Sequence, residues 1–168
     1  MKRLKLLIIK MLSLIGYKIE KIDLTNLIIP SEISEIIKGK TMLSKKAQIN
    51  IIELTKYIVN NSINGDFVEC GVWKGGSVAL MAYSLKTNNQ IRNLHLFDAF
   101  DDICEPDANI DGVRAIKDVG GINFAKGELK PIKGVYDSMG GAGNYDEVLD
   151  LIKNKIMYPE NYINLYKG

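Results

Sequence analysis

Hydrophobic positions along the chain recur with two different periods, and the change of period marks out its elements. In MKRLKLLIIKMLSLIG, Leu4, Leu7, Ile8, Met11, Leu12 and Ile15 recur at helical spacing, with Lys2, Lys5 and Lys10 mostly on other faces. This predicts an amphipathic helix that packs on the domain or on a second subunit. Lys10 interrupts the apolar run and no small-residue cleavage site follows it, so a secretory signal is disfavoured. The run is also far shorter than the roughly 20 residues that span a bilayer. Attachment to a membrane surface through the basic helix is the alternative. Pro30 and then Ser31, read as an N-cap, introduce a helix over SEISEIIKGK. Ser44 is read as the cap of KKAQINIIELTKYIVNN, where Ala47, Ile51, Leu54 and Ile58 are expected to form one buried face. The turn NSINGD stops that helix, with Gly65 free to take positive φ.

Beyond Gly65 the period changes. Phe67-Val-Glu-Cys70 and Asn93-Leu-His-Leu-Phe-Asp98 are short apolar runs, each carrying an acid at or near its end, and Ser77 to Lys86 between them reads as a helix. Strand, helix and strand within about 30 residues make a βαβ unit. Neither strand alternates cleanly, which predicts helices on both faces of a parallel sheet and a buried Cys70. A further helix is expected over Tyr145 to Lys155, with Val148, Leu149 and Ile152 on one face, and a third strand over Tyr162 to Tyr166. Between these lies a glycine-rich stretch, Asp101 to Gly143, and the overlapping segment Asp111 to Asn144 is the natural lid over an acceptor. The fold class is therefore α/β with a Rossmann-like, doubly wound parallel sheet. It is incomplete at about three strands, because an open sheet of this kind needs a second half. Residues 1–40 are expected to form a helical N-terminal extension, and 41–168 the N-terminal part of the ligand-binding domain.

Composition narrows the classes of function. A chain of 168 residues with 46% hydrophobic and 25% charged residues suits one globular domain. Its 22 basic and 20 acidic residues leave no basic excess for nucleic acid. Cys70 and Cys104 make neither a disulfide framework nor a zinc pattern, so a reducing compartment, the cytoplasm, is expected.

The candidate chemistry sits at the strand ends. In GDFVECGVWKGGS, Glu69 lies near the carboxyl end of the first strand, and Gly71, Gly75 and Gly76 turn the chain into a helix. Open α/β sheets bind ligands at that place, and the free N–H groups of a helix start help to hold them. Asp98, at the end of the second strand, can accept hydrogen bonds from ribose hydroxyls. The pattern Glu69, Gly71, Gly75, Ser77 puts an acid before the first glycine. That suits an amine-bearing or cationic ligand better than a pyrophosphate, which a carboxylate repels. S-adenosyl-L-methionine meets these demands. Without a ligand, the glycines would serve only a tight turn and Asp98 a helix cap or a solvated strand end. Trp73 and Tyr83 are candidates either for stacking on adenine or for packing, and Phe100 for a wall on the adenine side. His95, the only histidine, reads as a core or cross-strand residue. The acids Asp98, Asp101, Asp102, Glu105 and Asp107 lack the spacing of a calcium loop and read mainly as a solvated loop.

The stretch GDFVECGVWKGGS followed by LHLFDAFDDICEPD resembles the macrocin O-methyltransferase family. Gly65, Asp66, Phe67, Glu69, Gly71, Val72, Trp73, Gly75 and Gly76 match its first block, and Asp98, Phe100 and Pro106 its second. Thr41-Met42 resembles the family's lead segment. The resemblance covers about residues 41–168, while YDSMGGAGNYDEV has no clear counterpart in it. It implies a class I methyltransferase fold, bound S-adenosyl-L-methionine, and methyl transfer to a sugar hydroxyl of a polysaccharide or natural-product glycoside. The acceptor would be a small-molecule sugar or nucleotide-sugar, and a homo-oligomer is possible; nucleic acid and membrane are not expected as partners. Thr41, Met42, Glu69, Gly71, Val72, Trp73, Gly75, Ser77, Asp98 and Phe100 would form the cofactor site. The family's magnesium is held by aspartates after a fourth strand, beyond Gly168. The chain is therefore expected to end before the metal site, to hold no metal and to be inactive alone. The rival readings are a nucleotide- or dinucleotide-binding oxidoreductase half-domain, against which Glu69 argues, and a non-catalytic remnant or oligomerisation module.

Overall fold

The computed structural model describes residues 28–107, 110–118, 132 and 136–168. The expected N-terminal amphipathic helix, and Gly120, Gly121, Gly127 and Gly134 of the glycine-rich stretch, lie outside the described residues. The elements run α1 (Ser31–Ile36), α2 (Lys45–Asn60), β1 (Phe67–Cys70), α3 (Gly76–Thr87), β2 (Leu94–Asp98), α4 (Val113–Asp118), α5 (Tyr145–Asp150) and β3 (Ile163–Lys167). A widened turn of π type, Leu151–Lys155, continues α5.

The three strands form one parallel sheet in the order β1-β2-β3. Phe67 pairs with Leu94, and Leu94 with Ile163, so Glu69 and Asp98 stand near the carboxyl ends of adjacent strands. Side chains alternate across a strand. On one face Leu94 and Leu96, with Phe67, Ile163 and Leu165, join the core built by Ile52 of α2, Val78, Ala79, Leu80, Ala82 and Leu85 of α3, and Val148, Leu151 and Ile152 at α5. Tyr158, buried beside them, donates its hydroxyl to the Arg92 carbonyl and accepts from the Arg92 N–H, which ties the end of the α5 segment to the start of β2. Tyr162, partly buried, packs against the same core.

Among the described residues, the opposite face is less covered than helices on both sides would make it. Val68, Cys70, Phe97 and Tyr166 are exposed there, with Phe97 and Tyr166 stacked 4.4 Å apart. Cys70 is thus an exposed thiol and not a buried one, because its position in the alternation points away from the helices. His95 makes the expected cross-strand contact, with Nδ1 3.0 Å from the Tyr166 hydroxyl.

Two local readings also change. Pro30 rather than Ser31 holds the cap position of α1, its backbone extended at φ −51° and ψ 136°. On α2 the buried residues are Ile52 and Thr55, while Leu54 is 57% exposed. The helix is rotated so that the Ile52 carbonyl receives the Ser84 hydroxyl from α3, a bond no apolar period encodes. Ser44 caps α2 as expected, accepting from the Ala47 N–H at 3.3 Å. No helix among the described residues is long and apolar enough to cross a membrane.

Candidate functional site

A cavity of about 640 Å³ opens beyond the carboxyl ends of β1 and β2. That volume lies within the range of about 300–1,000 Å³ usual for small-molecule sites. Its floor is Gly71–Trp73, the first part of the loop Gly71–Gly75, in which Gly71 and Gly75 adopt left-handed backbone. One wall is the lead segment Lys40–Leu43. This segment comes close because Gly76 has no side chain: its N–H donates to the Lys40 carbonyl at 2.9 Å, and a Cβ at Gly76 would collide with that same carbonyl. Of the residues singled out from sequence, Thr41, Met42, Glu69, Gly71, Val72, Trp73, Ser77 and Asp98 line the cavity together.

Gly75 and Phe100 are not among its lining residues. A Cβ at Gly75 would meet Val148 of α5 and Leu151 of the turn that continues it. Phe100 is buried, and its ring meets Tyr145 edge-on at 5.4 Å. Tyr83 is also elsewhere, beside Ile28, Ile52 and Thr87 between α2 and α3.

The carboxylates of Asp98 and Glu69 are both engaged by the protein itself. Asp98 Oδ2 accepts the backbone N–H groups of Val72 at 2.6 Å and Trp73 at 2.9 Å, and Oδ1 accepts that of Phe100 at 2.8 Å. Trp73 and Phe100 both carry positive φ, about 50°, which side-chain-bearing residues rarely adopt. Asp98 therefore bridges two strained backbone positions on different loops. Glu69 Oε1 accepts the Ser77 hydroxyl at 2.5 Å, while Oε2 is buried with no hydrogen-bond partner. Burial pushes the Glu69 carboxyl up to about 6, with a smaller contribution from the Asp98 charge.

The far wall comes from the end of the stretch expected to form the acceptor lid, in which the sequence singles out no individual site residue. Tyr136 and Gly143 line the cavity with Trp73. The Trp73 indole N–H donates to the Gly141 carbonyl at 3.2 Å, and Lys74 Nζ donates to the carbonyls of Met139 at 3.1 Å and Gly140 at 2.6 Å. Gly143 sits so close that a Cβ there would collide with the Trp73 carbonyl. Trp73 is thereby committed to holding the 136–143 segment. Burial, then the charges of Asp98 and Asp102, push the Tyr136 phenol up. The glycines at 140, 141 and 143 were the one sequence signal for this docking, and they did not identify its partner. Asp101, Ile103, Ile51 and Met81 also line the cavity. No group of three or more acids, histidines or cysteines among the described residues is placed to hold a metal ion.

Residues 35–120, which carry the lead segment, the glycine loop and Asp98, match the macrocin O-methyltransferase (TylF) family. The chain belongs to that family. Demethyldecarbamoylnovobiocin O-methyltransferase of Streptomyces niveus is 36% identical over 73 residues, which are 43% of this chain and 27% of that protein. The solved structure of the O-methyltransferase NovP superposes with a TM-score of 0.55 at 25% identity, over 77% of this chain and 47% of that one. The chain thus spans between a quarter and a half of the length of these relatives. The macrocin O-methyltransferase match ends before Tyr136 and Gly143, so the wall that they build lies outside the matched residues.

Proposed function

We propose that this chain forms the cofactor-binding part of an S-adenosyl-L-methionine-dependent O-methyltransferase that acts on a sugar hydroxyl. The observation that carries the reading is the cavity at two adjacent strand ends, floored by the glycine loop that Asp98 pins, within residues that match the family. When bound, S-adenosyl-L-methionine supplies the methyl group. The residues of this chain bind and orient. Gly71 and Val72 let a ligand approach the backbone, Asp98 fixes the loop and retains acceptor capacity, and Thr41, Met42 and Trp73 bound the cavity. Glu69, tied to the Ser77 hydroxyl, supplies a carboxyl to the cavity lining. The acceptor is a sugar of a natural-product glycoside, a reading supported by the kinship with the macrocin and demethyldecarbamoylnovobiocin O-methyltransferases; a polysaccharide sugar is the other acceptor of this chemistry. The acids among the described residues do not converge as a ligand set for magnesium.

Isothermal titration of the chain with S-adenosyl-L-homocysteine and, separately, with NAD tests the reading. Saturable binding of the former and none of the latter is expected. Tighter binding of NAD would favour a dinucleotide-dependent oxidoreductase, and binding of neither would leave a non-catalytic module.

A further inference from the structure

The hydrogen bonds of Asp98 limit what it can offer a ligand. A carboxylate has about four lone-pair sites, two on each oxygen. Val72 and Trp73 occupy both on Oδ2, and Phe100 occupies one on Oδ1. One site remains, whereas a ribose presents two neighbouring hydroxyls. Among the described residues only two other carboxylates line the same cavity, Glu69 and Asp101. Glu69 is the poorer acceptor of the two: its Oε1 already takes the Ser77 hydroxyl and its Oε2 is buried.

Asp101 stands three residues after Asp98, on the segment that leaves the tip of β2. Its carboxylate is exposed; Oδ1 accepts one bond, from the Asp102 N–H at 2.9 Å, and Oδ2 lies 3.9 Å from Lys167 Nζ. Both oxygens therefore keep acceptor capacity beside the cavity. We infer that Asp101 is the second hydroxyl acceptor of this site: Asp98 takes one ribose hydroxyl and Asp101 the other. This rests on the cofactor reading above and adds a specificity-determining residue to it. The alternative role for Asp101 is purely structural, an ion pair that ties the loop to β3 through Lys167.

The test titrates the full chain and two variants, Asp101→Ala and Lys167→Ala, with S-adenosyl-L-homocysteine and with its 2′-deoxy and 3′-deoxy analogues. The unaltered chain should bind the parent compound and discriminate against both analogues. In Asp101→Ala, affinity for the parent should fall about tenfold, the size of one hydrogen bond to a charged group, and discrimination should survive against only one analogue. Lys167→Ala should keep both the affinity and the discrimination. Asp101→Ala that still discriminates against both analogues like the unaltered chain would overturn the inference. So would Lys167→Ala that reproduces the loss, because the ion pair alone would then explain it. Failure of the unaltered chain to bind any of the three compounds would instead remove the cofactor reading, and this inference with it.

Discussion

Glu69 keeps one carboxyl oxygen on the Ser77 hydroxyl and buries the other without a partner. Burial is the larger cause of its raised value of about 6, against an ordinary 4.5. The native chain therefore holds this proton to higher pH than the unfolded chain does. Stability contributed by neutral Glu69 is fully present below pH 4.5 and is lost as pH rises through about 6. The loss amounts to about 2 kcal/mol. Glu69→Gln stays neutral throughout, so its stability relative to the unaltered chain should rise by that amount between about pH 4 and pH 7. Urea unfolding of both proteins across this range measures it, and a constant difference would show that the carboxyl titrates normally. The neighbouring acid behaves in another way: Asp98 spends its oxygens on three backbone N–H groups and so sets loop shape first.

At the scale of elements, the glycine loop and the 136–143 segment act as one unit. Two side chains of the loop, Trp73 and Lys74, donate to three consecutive carbonyls, those of Met139, Gly140 and Gly141. The fit depends on Gly143 lying against the Trp73 backbone. Gly143→Ala should force the two apart and destabilise the chain by about 1–3 kcal/mol, the range typical of overpacking. Gly112→Ala is the control, since a Cβ there meets nothing within 4 Å. Its effect should stay within about 0.5 kcal/mol. Chemical denaturation of the pair separates contact from composition, and equal effects would mean that the segment is not docked on the loop.

On the scale of the molecule, the described helices cover one face of the sheet and leave the other open among the described residues. Val68 is 58% exposed, and Phe97 and Tyr166 are each 42% exposed. An apolar face of this kind usually marks an interaction surface. Cys70 lies on it and reports its accessibility. In a Cys104→Ser variant, Cys70 should react with a disulfide reagent under native conditions to one thiol per chain, at a rate close to that in denaturant. Strong protection of the native thiol would mean that a second copy or another segment covers the face. Cys70 sits on this face and not in the core, a difference its sequence neighbourhood does not carry: an apolar run looks alike whether helices cover it on one side or two.

Some properties of this protein are local, and these the chain declares by itself. Gly65, a φ of 124° at the turn before β1, and Ser44 at the start of α2 each act through neighbours in sequence, so their residue type predicts their place. The βαβ order and the carboxylates near two strand ends follow likewise from short apolar runs and spacing. Contacts between distant segments are different, because no pattern in either partner names the other. The rotation of α2 depends on a hydroxyl from α3, and the wall at Tyr136 on an indole 63 positions earlier in the numbering. Whether Asp98 faces a ligand or the backbone depends on how closely the glycine loop approaches β2. Folding alone decided these, since each hydrogen bond forms only where packing brings donor and acceptor within about 3 Å of one another.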